Sequence, residues 1–269
     1  MQKRPTLSAP GPFLAEQIKP KDPYELSNGH AIFTPLTGQR GARSNLDGGA
    51  VLKTDPDVRS AGIDAGFSAG PKALRAPDIS VGNLQDEPGW SRVAPPLAVE
   101  YADVGQDEAS LEEKRAELFA AGTRYLWVVR LAAEPRHVEV HEAGAPSRLA
   151  YAGEALTAPG VLRNAVPVEA MWDGEAANRA TLRNLLNRAG YESLDQVRGQ
   201  GIEVGLEQGI EKGEARGLAT AICDACELRG LPLSDAQREL VNDARDAVRL
   251  RAWLRRVLAG EDLSKLFTE

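Results

Sequence analysis

An α/β domain followed by an all-helical segment is the fold this sequence predicts, and three observations carry that prediction. Ala76-Pro77-Asp78-Ile79-Ser80-Val81 and Leu97-Ala98-Val99-Glu100-Tyr101 read as strands, because β-branched and other apolar residues alternate around one acid each. Glu113-Lys114-Arg115 opens a helical run soon after the second stretch. Composition then shifts at Met171-Trp172-Asp173, beyond which almost everything has helical character.

Residues 1–22 are rich in proline and lysine with no sustained period, which predicts a mobile arm with a short helix near 13–18. Asn28-Gly29 is a turn signal, and 30–34 follows as a first strand. A helix is expected over 39–52, although Gly48-Gly49 weakens it. Residues 62–67 alternate as a second strand, and 76–81 form the third. A loop rich in proline and glycine, 86–96, leads to the strand 97–101. Residues 110–121 are helical, with Ser110 as N-cap, Glu113 as its capping-box partner and Gly122 as the stop. An apolar strand, 125–129, is expected to pair with 136–141 in a hairpin around Glu134-Pro135. Strands gathered around one principal helix make an α/β domain over 23–172.

The segment 173–269 reads as a helical module, with helices over 175–189, 194 to about 230, and 234–258. Inside it Gly201, Gly205, Gly209, Gly213 and Gly217 recur at every fourth residue, with Ile202, Leu206 and Ile210 beside them. Each glycine costs a helix roughly 1 kcal/mol relative to alanine, so a regular row calls for compensation. Close approach of a second helix supplies it, which favours self-association and a homodimer. A flexible polar linker is the alternative, supported by the like charges Glu203, Glu207 and Glu211 at i,i+4.

The chain's 269 residues allow one large domain, or a medium domain plus a smaller one. A net charge of −7 argues against a protein that coats nucleic acid, yet leaves DNA open as a substrate, since arginines can concentrate in one cleft. Cys223 and Cys226 make no disulfide framework and read as packing residues inside a helix. His137 and His141 lie in an alternating strand and read as exposed. No run approaches the ~18 apolar residues of a membrane span, so a soluble, cytoplasmic protein without a membrane partner is expected. GxSxG, Walker-type GxxxxGK[ST] and strand-GxGxxG-helix patterns are absent, which leaves serine-hydrolase and nucleotide-binding readings little support.

Two strand-borne carboxylates and a lysine delivered by the next helix suit phosphodiester hydrolysis. Hard oxygen ligands hold a divalent cation, and an ammonium steadies the charge of a crowded phosphorane. Acids at strand ends with an ordinary helix lysine are the plainer alternative. The Pro-Asp start, the apolar strands and the following helix favour the former.

The order of motifs adds a resemblance. Tyr24-Glu25-Leu26 before Asn28-Gly29 is followed by Ala76-Pro77-Asp78 and Val99-Glu100. Glu113-Lys114, Phe119-Ala120-Ala121-Gly122 and Tyr125-Leu126-Trp127-Val128-Val129 complete the series. This order resembles the Uma-type restriction-endonuclease-like family, a branch of the PD-(D/E)XK nuclease superfamily, over roughly residues 20–172. The resemblance implies a restriction-endonuclease-like fold, a mixed sheet flanked by helices. It makes Asp78 and Glu100 the metal ligands, with Lys114 replacing the lysine that normally sits two residues after the glutamate, where this chain has Ala102. Glu25 would be an additional acid from the amino-terminal segment. The chain departs from the family in the loop Ala102-Asp103-Val104-Gly105-Gln106-Asp107, usually rich in serine and proline, and at Gln39-Arg40-Gly41, where a histidine is common. The segment 201–267 is similar to the glycine-repeat tails of transposase-associated members of the superfamily.

Helix geometry places Lys114 at the edge of the apolar face formed by Leu111, Leu118 and Phe119, where its stem can pack while its ammonium reaches the strand ends. Arg115 falls nearer the middle of that face, as the buried cation or as a partner for Glu100 or Asp103. The expectation is therefore a Mg²⁺- or Mn²⁺-dependent DNA endonuclease. Asp78, Glu100 and the Tyr101 carbonyl hold the metal, Lys114 stabilises charge and Glu25 assists. The alternative is a catalytically inactive nuclease-fold scaffold that acts through its helical module.

Overall fold

A computed structural model describes residues 11–262 and Phe267. Strand β1 (Tyr24–Ser27) turns into β2 (His30–Phe33) through Asn28 and Gly29, both left-handed at φ 47° and 82°, the backbone that a two-residue hairpin of the right twist requires. Then come α1 (Gln39–Thr54), β3 (Ala61–Ile63), β4 (Phe67–Gly70), β5 (Ala73–Arg75) and β6 (Ile79–Val81). β7 (Leu97–Ala102), α2 (Glu108–Ala120), β8 (Tyr125–Arg130), β9 (His137–Glu142) and β10 (Arg148–Tyr151) follow, then the short pair β11 (Ala155–Leu156) and β12 (Val166–Pro167), and α3 (Gly174–Arg188).

Among the described residues the principal sheet has the order β10-β9-β8-β7-β6-β3. β7 and β8 run parallel, joined by α2, and the other neighbours are antiparallel, so the sheet is mixed. A second sheet, β2-β1-β5-β4, lies elsewhere in the same unit. The strand expected over 62–67 is two strands in two sheets. β3 stops at Ile63, Asp64 adopts a left-handed φ of 51°, and β4 begins at Phe67 beside β5. An alternating pattern across Asp64 conceals that break.

Side-chain alternation divides the principal sheet. Leu97, Val99, Tyr101, Trp127 and Val129 face a core shared with Val51 and Leu52 of α1, Met171, and Ala176, Ala177 and Ala180 of α3. Ala98, Leu126 and Val128 pack with Leu111 and Leu118 of α2. Glu100 has the parity of Ala98 and Ala102, so it faces α2.

Gly48 in mid-helix has a packing reason: a Cβ there would lie 2.2 Å from the Tyr101 hydroxyl and 3.0 Å from Met171. α2 is capped by Asp107 rather than by Ser110, its Oδ1 accepting from the backbone N–H groups of Ala109 (3.0 Å) and Ser110 (3.2 Å). Glu113, the expected capping-box partner, accepts instead from the Ser27 hydroxyl at 2.8 Å.

The described part of the expected mobile arm is anchored. Phe13 N donates to Gly29 O (2.7 Å), Ala15 N to Pro71 O (2.8 Å) and Trp90 Nε1 to Ala15 O (3.2 Å). Ala15 and Ile18 are buried with Leu26 and Leu74, around a 3₁₀ turn at Ala15–Gln17. Residues 1–10 lie outside the described residues.

The chain divides between Ser193 and Leu194. The composition shift near residue 172 assigned α3 to the helical module, whereas its contacts are with the first unit. Asn184 Nδ2 donates to Val51 O (2.9 Å), and Arg188 donates to the carbonyls of Lys53, Asp55 and Val58 that end or follow α1. The second unit comprises α4 (Leu194–Leu228), α5 (Asp235–Asp243) and α6 (Ala247–Ala259), around Ala215, Ala219, Ile222, Cys226, Val241, Leu250, Trp253 and Val257. The single helix expected over 234–258 breaks at Ala244-Arg245-Asp246, where Asp246 caps α6. Cys226 packs in this core. Residues 194–213 of α4 are exposed throughout, and a Cβ at any of the five repeat glycines would meet nothing within 4 Å.

Candidate active site

Four elements of the first unit bring charged side chains to one place. β7 presents Glu100 to α2, and α2 sends Lys114 back toward it. Lys114 Nζ lies 2.7 Å from Glu100 Oε1 and 3.1 Å from Glu25 Oε1 of β1, and it donates to the Ala76 carbonyl at 2.9 Å. An ammonium has three protons, and three acceptors surround this one. Asp78 stands just before β6, where the ladder to β7 has ended, and its Oδ2 accepts the Tyr101 N–H at 2.6 Å. The N–H and carbonyl of a strand residue point to the same edge, so the Tyr101 carbonyl faces the Asp78 side as well.

Three of the expected residues thus meet directly, Glu25, Glu100 and Lys114, and Asp78 is tied to the backbone next to Glu100. The Tyr101 side chain is buried on the opposite face, near Gly48.

Burial pushes the Glu100 carboxyl up to about 8; Lys114 opposes the shift, and Asp78 and Glu25 add to it. The Asp78 carboxyl is also raised, by burial first, against Lys114 and the Tyr101 N–H. Burial pulls the Lys114 pKa down, yet Glu100, Glu25 and Asp78 outweigh it and hold the ammonium above its ordinary value.

One further acid was not singled out from the sequence. Asp64 donates its backbone N–H to the Asp78 carbonyl (3.2 Å), and its carboxyl is raised by burial, with Lys114 opposing and Glu25 adding. Its signal is the left-handed φ of a residue that is not glycine, which a sequence does not display.

Arg115 pairs with neither Glu100 nor Asp103. It bonds Glu112 in its own helix and contacts His141 Nδ1 at 3.1 Å. His141, expected to be exposed, is buried, with Nε2 3.4 Å from Glu139. Arg130 links Glu139 (2.7 Å) to Glu108 (2.6 Å), so a ladder of charges ties α2 to β8 and β9. The two places where the chain departs from the resembled family meet each other: Arg40 at the start of α1 pairs with Asp103, its Nε donating at 2.9 Å.

The donor chemistry fits a divalent cation. Glu25, Asp64, Asp78 and Glu100 gather hard oxygen donors around Lys114, and the raised pKa values of Asp64, Asp78 and Glu100 are those of acids that a bound cation would help to ionise. Among the described residues no three His, Cys, Asp or Glu side chains form a ready cage. Any divalent cation here would be held by one or two carboxylates and completed by backbone oxygen and water.

The crystal structure of a presumed nuclease belonging to DUF820 from Anabaena variabilis is similar to this chain with a TM-score of 0.51 at 15% identity. The match covers 62% of this chain and 99% of that one. The first unit has a restriction-endonuclease-like fold. No family profile and no curated protein matches the chain. In this fold the mixed sheet is the platform, and the charges gather where β7 runs on past the first residue of β6. No helix among the described residues is long and apolar enough to cross a membrane.

Proposed function

We propose that this chain is a metal-dependent endonuclease that hydrolyses DNA phosphodiester bonds with two carboxylates and a lysine. The observation that carries the reading is Lys114 seated 2.7 Å from Glu100 while Asp78 is fixed by the Tyr101 N–H on the same strand. Asp78 and Glu100 would hold Mg²⁺ or Mn²⁺, with the Tyr101 carbonyl as a further oxygen. When bound, such a cation lowers the pKa of coordinated water and draws charge from phosphoryl oxygens. The Tyr101 N–H orients Asp78 and leaves Oδ1 for a ligand. Lys114, kept charged by its carboxylates, stabilises the negative charge that builds up on phosphate. Glu25 belongs to the machinery as the acid that steadies Lys114. Two active sites related by symmetry would cut both strands, and the exposed face of α4 is the proposed dimer contact.

A scaffold acting through α4 is the competing reading, supported by the exposed apolar residues Ile202, Leu206 and Ile210 that run beside the repeat glycines. Calorimetric titration with Mg²⁺ and Mn²⁺ separates the two. Asp78→Ala and Glu100→Ala are each expected to lose binding and keep the fold; unchanged affinity in both rejects the site.

A further inference from the structure

Glu25 comes from the second sheet, yet both of its oxygens are taken. Oε1 faces Lys114 at 3.1 Å and accepts the Ala76 N–H at 3.3 Å, while Oε2 lies 3.1 Å from Arg75 Nη1. Arg75 is 3% exposed and is pinned by a second acid, its Nε donating to Glu117 Oε2 at 2.6 Å, with Glu113 3.9 Å from Nη2. Its neighbour Ala76 supplies the N–H to Glu25 and the carbonyl to Lys114, so residues 75 and 76 hold both ends of the Lys114–Glu25 contact. A guanidinium serves this geometry because its rigid plane donates to Glu117 from Nε and to Glu25 from Nη1, fixing the two carboxylates relative to each other.

We propose that Arg75 is a positioning residue: it occupies Glu25 Oε2, commits that carboxylate to Lys114 and keeps it out of the coordination shell of the cation at Asp78 and Glu100. The sequence suggested Glu25 only as an additional, assisting acid, and this pairing gives it a partner other than the cation. Without Arg75, Glu25 Oε2 loses its partner and the carboxylate can turn toward the cation, displacing water there and weakening its hold on Lys114. The inference rests on the metal-site reading above.

Mn²⁺ is the probe, followed by calorimetry and by water-proton relaxation, which counts the waters that Mn²⁺ retains. Arg75→Met is expected to bind Mn²⁺ on the order of tenfold more tightly, since one nearby positive charge is lost. Its Mn²⁺ should hold fewer exchangeable waters. Arg75→Met with Glu25→Gln removes the pair as a neutral unit and should restore both wild-type values. Arg75→Lys keeps the charge but not the fork; it should lose water with little change in affinity, and it serves where Arg75→Met fails to fold. Wild-type protein that binds Mn²⁺ while Arg75→Met or Arg75→Lys shows unchanged relaxation overturns this inference alone. Wild-type protein that binds no Mn²⁺ contradicts the metal-site reading itself, and the inference with it.

Discussion

Lys114 and Arg115 are adjacent in α2 and do different work, because one points to the strand ends and the other to the edge of the sheet. Lys114→Met removes the ammonium between Glu25 and Glu100, so a cleavage rate lower by about 10²-fold or more is expected in single-turnover assays, the scale of losing one preorganised donor. Mn²⁺ affinity should not fall, since an ammonium is no ligand and repels the ion. Arg115→Met should instead lower the melting temperature, because it breaks the contact to His141 and the bond to Glu112. An Arg115→Met protein that is stable but inactive, beside a Lys114→Met protein that cleaves normally, would reverse these roles.

His141 adds a pH dependence of its own. Burial and Arg115 hold its imidazole below the ordinary value, while Glu139 and Glu112 pull upward. As pH falls the unfolded chain therefore takes up this proton first. The stabilising contribution is present above the ordinary histidine range and lost below the folded value. His141→Gln should flatten the melting temperature between about pH 7 and 5; an unchanged slope contradicts this.

At the scale of elements, the closest test lies in α1. A Cβ at Gly48 would sit 2.2 Å from the Tyr101 hydroxyl, whereas one at Gly49 would meet Ile63 at 3.5 Å, an ordinary contact. Gly48→Ala should destabilise by about 1–3 kcal/mol through overpacking, despite the gain in helix propensity. Gly49→Ala should be neutral or stabilising by up to about 1 kcal/mol. Equal melting temperatures would contradict that packing.

The strand that follows Asp78, the strand carrying Glu100 and the helix carrying Lys114 were legible in the sequence, because apolar runs flank each acid and the lysine sits at the edge of an apolar stripe, although β6 begins at Ile79 rather than at residue 76. Asp64 and Arg75 were not. The break at Asp64 lies in a single backbone angle, and the role of Arg75 depends on acids 50 and 42 residues away along the chain. Ser110 and Asp107 are both good caps, and which of them starts the helix is decided by where the preceding loop ends.

For the whole molecule, the two units raise separate questions. Among the described residues a Cβ at any glycine of the row from Gly201 to Gly217 would meet nothing within 4 Å, so the cost of roughly 1 kcal/mol per glycine calls for a partner helix. Replacing Gly205, Gly209 and Gly213 together with leucine should change the oligomer mass by light scattering, and a wild-type monomer at high concentration would reject the proposed dimer. The first unit holds the central claim, that Asp78, Glu100 and Lys114 form a metal-dependent phosphodiester-cleaving site. The most direct measurement is incubation of supercoiled plasmid with wild-type protein and with Glu100→Gln, in Mg²⁺, in Mn²⁺ and in EDTA. Nicking or linearisation by the wild type with either metal, abolished by EDTA and by the substitution, is the predicted result. Intact plasmid with both metals, or cleavage that persists in EDTA or in Glu100→Gln, would contradict it.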